Sequence, residues 1–286
     1  MKRLVLPVIA VLLLAGCASD LRDDSVPNPD APPMFGEPVD GEPAAIGLVN
    51  LWRVTGAEGE SDATWLRLDA QEFQLWRDCG MVAGSWAATD TLFLGAVWGG
   101  MGGTCADSGI PVVTWLDDVT GYAQTADGYD LLSADGDALA SLSIDGAPEP
   151  IADAAEFFAQ PPELTAEVRA QFRAPAALPA ELQPASTDAL MGRWVPAGLD
   201  VPTDPHVAFE ADRIWSGSDG CNGGGGRWAV SDNGEFLATS GPSTLIYCEG
   251  APVPSWVAQT TSAGISPDGL LLLFDASGTE LGRLAR

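Results

Sequence analysis

Apolar and polar positions alternate along much of this chain with a period of two. Leu48, Asn50, Trp52 and Val54 interleave with Val49, Leu51 and Arg53, and Thr64, Leu66 and Leu68 interleave with Trp65 and Arg67. Further short apolar segments run from Glu72 to Arg77, Thr91 to Val97, Tyr129 to Ser133 and Ala138 to Ile144. Turn sequences such as Ala126-Asp127-Gly128 and Ala134-Asp135-Gly136-Asp137 divide them. Regular short strands with Gly/Asp turns predict a mainly β fold, an antiparallel sandwich or barrel. Two stretches, Pro111–Gln124 and Pro254–Ala263, each open on a proline that a first helical turn accepts, and each carries a tryptophan. They predict one helix among the strands at each place.

The pattern occurs twice. Trp52, Cys79 and Trp86 recur as Trp194, Cys221 and Trp228, each 142 positions further on. Gly56, Gly84, Gly136, Leu139 and Leu142 match Gly198, Gly226, Gly278, Leu281 and Leu284 in the same register. A repeat of this length means two copies of one domain, since solenoid units are far shorter. The copies cover residues 45–147 and 187–286, each long enough for its own core. Between them, residues 148–186 have another composition. Ile151–Ala159 and Pro162–Arg173 read as helical, with Leu164, Val168 and Phe172 on one face, and Ala174–Pro184 reads as proline-rich linker.

The N-terminus predicts an address. Lys2 and Arg3 precede an apolar run, Leu4–Leu13, that is too short to span a bilayer. Leu14-Ala15-Gly16-Cys17 then resembles the bacterial lipobox. That resemblance implies a signal peptide over residues 1–16, cleavage before Cys17, and acylation of Cys17. Several acyl chains on one residue hold a protein stably on a membrane, here at the extracytoplasmic face of the cell membrane. Residues 17–44 alternate prolines with acids and read as an extended tether that cannot bury a core. The whole chain has 13 basic and 40 acidic residues, a net charge of −27, and cleavage removes its only lysine. Such a surface repels phosphate backbones, which excludes nucleic acid as a partner.

The four remaining cysteines, Cys79, Cys105, Cys221 and Cys248, fall two to a copy. In an oxidising compartment they predict Cys79–Cys105 and Cys221–Cys248 disulfides. The spacing lacks the clustered Cys/His pattern of a zinc site, and His206 is the only histidine, so no metal or other cofactor is expected.

The second copy also resembles a known family. Leu190-Met191-Gly192-Arg193-Trp194 is followed by Gly220-Cys221-Asn222, then Gly226 and Trp228, then Thr244 and Cys248. This looks like the META (HslJ-like) domain of bacterial envelope proteins. The first copy keeps Trp52, Cys79, Gly84, Trp86 and Cys105, but Gly80 replaces the asparagine of the G-C-N turn and Asn50 replaces the glycine before the tryptophan. It resembles a diverged relative. The resemblance implies two small, partly open antiparallel barrels with one helix each, and it brings no catalytic residues. Trp194, Gly220, Cys221, Asn222, Gly226 and Trp228 are accordingly read as structural.

Other chemistry is weak. Gly223–Gly226 lacks the lysine of a phosphate-binding loop, since Arg227-Trp228 follows. His206 has no nucleophile elbow to serve and reads as a strand-edge residue. Trp98 and Met101 stand in the glycine-rich run Gly95–Gly103, read as a flexible apolar loop and the first candidate for a binding surface. These readings converge on a lipid-anchored, non-enzymatic envelope protein that acts in envelope stress or contacts another envelope component. The alternative is a carrier that holds a lipid or small apolar ligand inside a barrel. Replacing Cys17 by Ser should move the protein out of the membrane fraction or leave the precursor uncleaved. Unchanged fractionation together with a mature N-terminus elsewhere would contradict the anchor.

Overall fold

The computed structural model describes residues 43–286, apart from residues 108, 152–153, 245 and 248; the signal segment, Cys17 and nearly all of the tether lie outside the described residues. The first copy contributes β1 (Asn50–Thr55), β2 (Trp65–Leu68), β3 (Glu72–Arg77), β4 (Gly80–Ala88), β5 (Phe93–Gly103), α1 (Thr114–Asp118), β6 (Gly121–Gln124), β7 (Gly128–Leu132) and β8 (Ala138–Ser143). The linker holds α2 (Ala166–Gln171) and β9 (Gln183–Pro184). After α3 (Thr187–Leu190) come β10 (Gly192–Pro196), β11 (His206–Phe209), β12 (Ile214–Ser218), β13 (Gly223–Val230) and β14 (Phe236–Ala238). The chain then forms α4 (Val253–Gln259), β15 (Ser262–Ile265), β16 (Leu271–Phe274) and β17 (Glu280–Ala285).

Each copy forms one antiparallel sheet, and the two orders correspond strand for strand. The first runs β5-β4-β3-β2-β1-β8-β7-β6, and the second runs β14-β13-β12-β11-β10-β17-β16-β15, with β9 added beside β15. The sheets curl until their ends meet at a single bridge, Leu92 with Gly121 and Glu235 with Ser262. The result is a pair of partly open barrels, where the β patterning leaves sandwich and barrel open.

The recurring tryptophans fill equivalent places. Trp52 donates from Nε1 to the Leu48 carbonyl at 2.7 Å, and Trp194 donates to the Leu190 carbonyl at 2.7 Å. In both cases a short helical turn before the first strand supplies the acceptor, so the indole is buried without an unpaired N–H. Trp52, Phe73 and Phe93 pack inside the first barrel, and Trp194, Phe209, Trp215, Trp228 and Phe236 inside the second. These buried side chains pack against one another inside each barrel.

The first barrel has a second apolar surface, because the alternate residues of its strands are apolar too. Leu51, Trp65, Trp76 and Met81 form a cluster that Ile151, Ala154 and Phe158 of the linker cover. Arg67 fastens this cover, donating to the Gln160 carbonyl at 3.0 Å and pairing with Asp69 at 2.8 Å. Further on, Val168 and Phe172 join the core cluster of the first barrel, and Ala185 joins that of the second. The linker therefore packs on both barrels, and the second sheet gains β9 from residues before position 187. Ala44 opens a 3-10 turn, and its N–H donates to Asp90.

Several expected helices are shorter than the sequence suggests. Pro111–Gln124 yields only α1, and Gly121–Gln124 is strand β6. Pro254–Ala263 yields α4, after which Thr260 turns extended and Ser262 enters β15. The β-branched pair Thr260-Thr261 favours extended backbone, and Thr261 N–H bonds to Phe274 in the neighbouring strand. Ile151–Ala159 holds a 3-10 turn at Glu156–Ala159 alone among its described residues, and α2 occupies only the middle of Pro162–Arg173. Tertiary packing of Phe158 and Phe172 sets these segments, rather than helical propensity.

The equivalence of the two indoles makes a paired expectation. Trp52→Phe and Trp194→Phe each remove a buried donor and some core volume, and each should cost about 2 kcal/mol. Urea unfolding of the full chain measures both. A loss confined to one copy would show that the two positions do not do the same work.

Candidate functional site

The G-C-N residues form a clamp at the turn between β12 and β13. Asp219 accepts the N–H groups of Cys221 at 2.8 Å and Asn222 at 2.6 Å through one carboxylate oxygen. The Asn222 side-chain amide donates to Asp219 at 2.8 Å and to the Ile246 carbonyl at 2.7 Å. Its oxygen accepts from the Thr244 hydroxyl and the Ile246 N–H, both at 2.7 Å. Both donors and both lone pairs of the amide are thereby used. Gly220, at φ 108°, takes a backbone conformation that favours glycine, and a Cβ there would strike Thr203. Gly226 lies against the Thr239 carbonyl. Cys221 is disulfide-bonded, and Cys248 lies outside the described residues.

The first copy solves the same problem with backbone. Cys79 and Cys105 are bridged, with Cα atoms 5.0 Å apart, and Cys105 N–H donates to the Cys79 carbonyl. Gly80, which replaces the asparagine, pairs with Gly103, and β4 and β5 continue side by side for most of their length. Trp98 and Met101 therefore stand in strand β5 and not in a flexible loop. Met101 packs against the Trp65–Trp76 cluster, and Trp98 is half-buried. Glycine reads as loop from sequence, but the strand runs through it, and close approach requires glycine at Gly103, which lies against the Cys79 carbonyl, and at Gly84 in the partner strand. A Cβ on Gly84 would collide with the Ala96 carbonyl and the Phe73 ring.

Residues that sequence reasoning left aside form the remaining polar clusters. Glu60 is buried and accepts from Arg77 at 2.8 Å and the Trp115 indole at 2.9 Å, which ties α1 to the barrel wall. His206 sits half-exposed at the start of β11 with Nδ1 2.8 Å from the Asp204 carbonyl, a strand-edge position.

The barrels meet along β4 and β5 of the first and β13 and β14 of the second. Leu94, Ala229 and Leu237 form their apolar contact. Arg227 on β13 crosses it to pair with Asp117 on α1 at 3.3 Å. Burial raises the Asp117 pKa, with nearby Asp118 adding to it, against the attraction of Arg227. Burial also lowers the Arg227 pKa despite Asp117. Desolvation outweighs pairing on both sides, so the pair contributes little to holding the barrels together.

Two clefts flank this contact. One, of about 550 Å³, is lined by Trp86, Phe172 and Phe236, and also by Ser85 and Thr261. The buried hydroxyls of Ser85 and Thr261 have no partner. The other, of about 830 Å³, lies between α1 and the β12–β13 hairpin and holds Arg213 and Arg227. Arg213 has φ 63°, the one positive value for a non-glycine among the described residues. The β11–β12 turn closes with Arg213 N–H on Glu210 and Glu210 N–H on Ile214, whereas the first copy's turn closes one residue sooner, Asp69 on Glu72. Glycine would fill the extra left-handed position freely, and arginine there costs about 1 kcal/mol. The only sequence signal for this cleft was Arg227 standing where a phosphate-binding loop has lysine.

No protein-family profile, no curated protein and no solved structure matches this chain.

Removing the clamp should be costly. Asn222→Ala leaves the Ile246 N–H and carbonyl without their partner and should lower stability by about 2–3 kcal/mol in urea. Burial opposes the charge of Asp219. The hydrogen bonds from the Asn222 side chain and from the Asn222 and Cys221 N–H groups outweigh it and hold its pKa below the ordinary value. Its contribution is therefore complete above the ordinary carboxylate pKa, about 3.9, and is lost as pH falls through the depressed folded value. Asp219→Asn should flatten the acid limb of the stability curve below pH ~4. An unchanged acid limb would remove Asp219 from the account.

Proposed function

We propose that this chain is a lipid-anchored, non-catalytic envelope protein of META type that contacts another envelope component in a stress response. The family reading is supported by its motif residues. Trp194 and Trp228 are buried in the second core, and Asn222 uses its whole amide to fix one turn. The anchor is supported by the Leu14–Cys17 sequence.

The observation that carries an interaction role is what the Asn222 clamp presents. Ile246 and Tyr247 are 61% and 93% exposed, although the backbone of Ile246 is held at both its N–H and its carbonyl. A residue whose backbone is already held loses less freedom on binding, and tyrosine is a favoured anchor in protein interfaces. The partner in this reading is a protein of the envelope, met at the tip beside Cys221.

A photo-crosslinking residue in place of Tyr247, irradiated in intact cells, should give one discrete heavier species in the membrane fraction. Asn222→Ala should abolish it, and the same residue at exposed Asp135 should not produce it. Equal labelling from positions 247 and 135 would refute the contact.

A further inference from the structure

Arginine is scarce in this acidic chain, yet two arginines converge in the cleft between α1 and the β12–β13 hairpin. Burial lowers the Arg227 pKa against the attraction of Asp117, and nearby Arg213 adds to the lowering. Like charges brought together in a protein disfavour each other unless an anion joins them. Arg227 is largely buried, spends one nitrogen on Asp117, and keeps a buried Nε–H with no partner. Arg213 occupies a left-handed turn position that glycine would take without strain. Ile110, Val112 and Ile214, three of the exposed large apolar side chains, line the same cleft. Asp117, Asp118 and Asp212 line it as well. Asp117 is already paired with Arg227, so the unspent donor is the Arg227 Nε–H, with Arg213 beside it.

The cleft thus sets an apolar wall beside an unspent guanidinium N–H, with Asp118 and Asp212 also in its lining. We propose that this cleft binds a single-chain amphiphile with a carboxylate head, such as a long-chain fatty acid. The carboxylate would accept from the Arg227 Nε–H and pair with Arg213, and the tail would lie against Ile110, Val112 and Ile214. Planar guanidinium suits this role because it presents parallel donors to a carboxylate. The site draws its lining from both barrels and is separate from the Ile246–Tyr247 tip.

The test titrates the full chain with oleate below its micelle concentration, following tryptophan fluorescence, with oleyl alcohol and an oleoyl lysophosphatidic acid as comparison probes. Oleate should bind saturably at one site, with oleyl alcohol at least tenfold weaker. Arg227→Gln should weaken oleate about tenfold and leave oleyl alcohol unchanged. Arg213→Gly guards against mere misfolding, because glycine relieves the turn. It should melt no lower than the parent and still bind oleate at least fivefold more weakly. Equal affinity for acid and alcohol, unsaturable uptake, or full oleate affinity in a well-folded Arg213→Gly would overturn the proposal. Tighter binding of the phosphate-headed probe than of oleate would overturn the carboxylate assignment.

Discussion

Each barrel depends on the pairing of its first strand with its last. Arg53, Val54 and Thr55 of β1 meet Ser143, Leu142 and Ser141 of β8, and Val195 and Pro196 of β10 meet Ala285 and Leu284 of β17. These partners come from opposite ends of each copy, so the central ladder forms only when the whole copy is present. The tryptophans sit on these first strands, with their indoles tied back to the turn that precedes them. Entry turn, first strand and last strand are thereby fixed together, and the other strands add outward on both sides. Such non-local pairing makes folding slow compared with helical domains of equal size.

Around that common frame the copies diverge at one place. In the first, β5 runs beside β4 for most of its length, and the ladder continues into the disulfide. In the second, β14 is three residues long, and the chain leaves the sheet as a loop held by the Asn222, Ser243 and Thr203 side chains and by the backbone N–H groups of Gly241 and Ala251. A backbone ladder leaves no side chain exposed by necessity and covers its apolar residues with the linker. A side-chain clamp frees the loop to display Ile246 and Tyr247. Asn222 thus stands where the first copy has Gly80, and a loop stands where the first copy has a long ladder.

The strands were legible because their alternation is local. Glu72–Arg77 is a strand to the residue, and the Trp–Cys–Trp repeat anticipated two matching sheets. Helix ends were less legible, because a few turns of apolar periodicity look alike in a short helix and a buried strand. The glycine-rich run in β5 misled for a different reason. Glycine weakens a strand, and the run is extended because it pairs with β4, a partner that the run itself does not reveal. Apart from Arg227, the clefts left no signal in the sequence. One is built from residues near 110–120 and 211–227, which only the docking of the barrels brings together.

The two-residue strand β9 has a consequence for assembly. A curled sheet that closes by one bridge leaves most of its end strands' polar groups available, and such an edge invites strands from other molecules. In the second barrel the linker lays Gln183 and Pro184 along Ile265 and Gly264, and Ala185 N–H bonds to the Ala263 carbonyl. Proline in that added strand has no N–H to offer outward. The connection between the barrels therefore also acts as a stopper, making the chain a poor template for its own fibrillar growth.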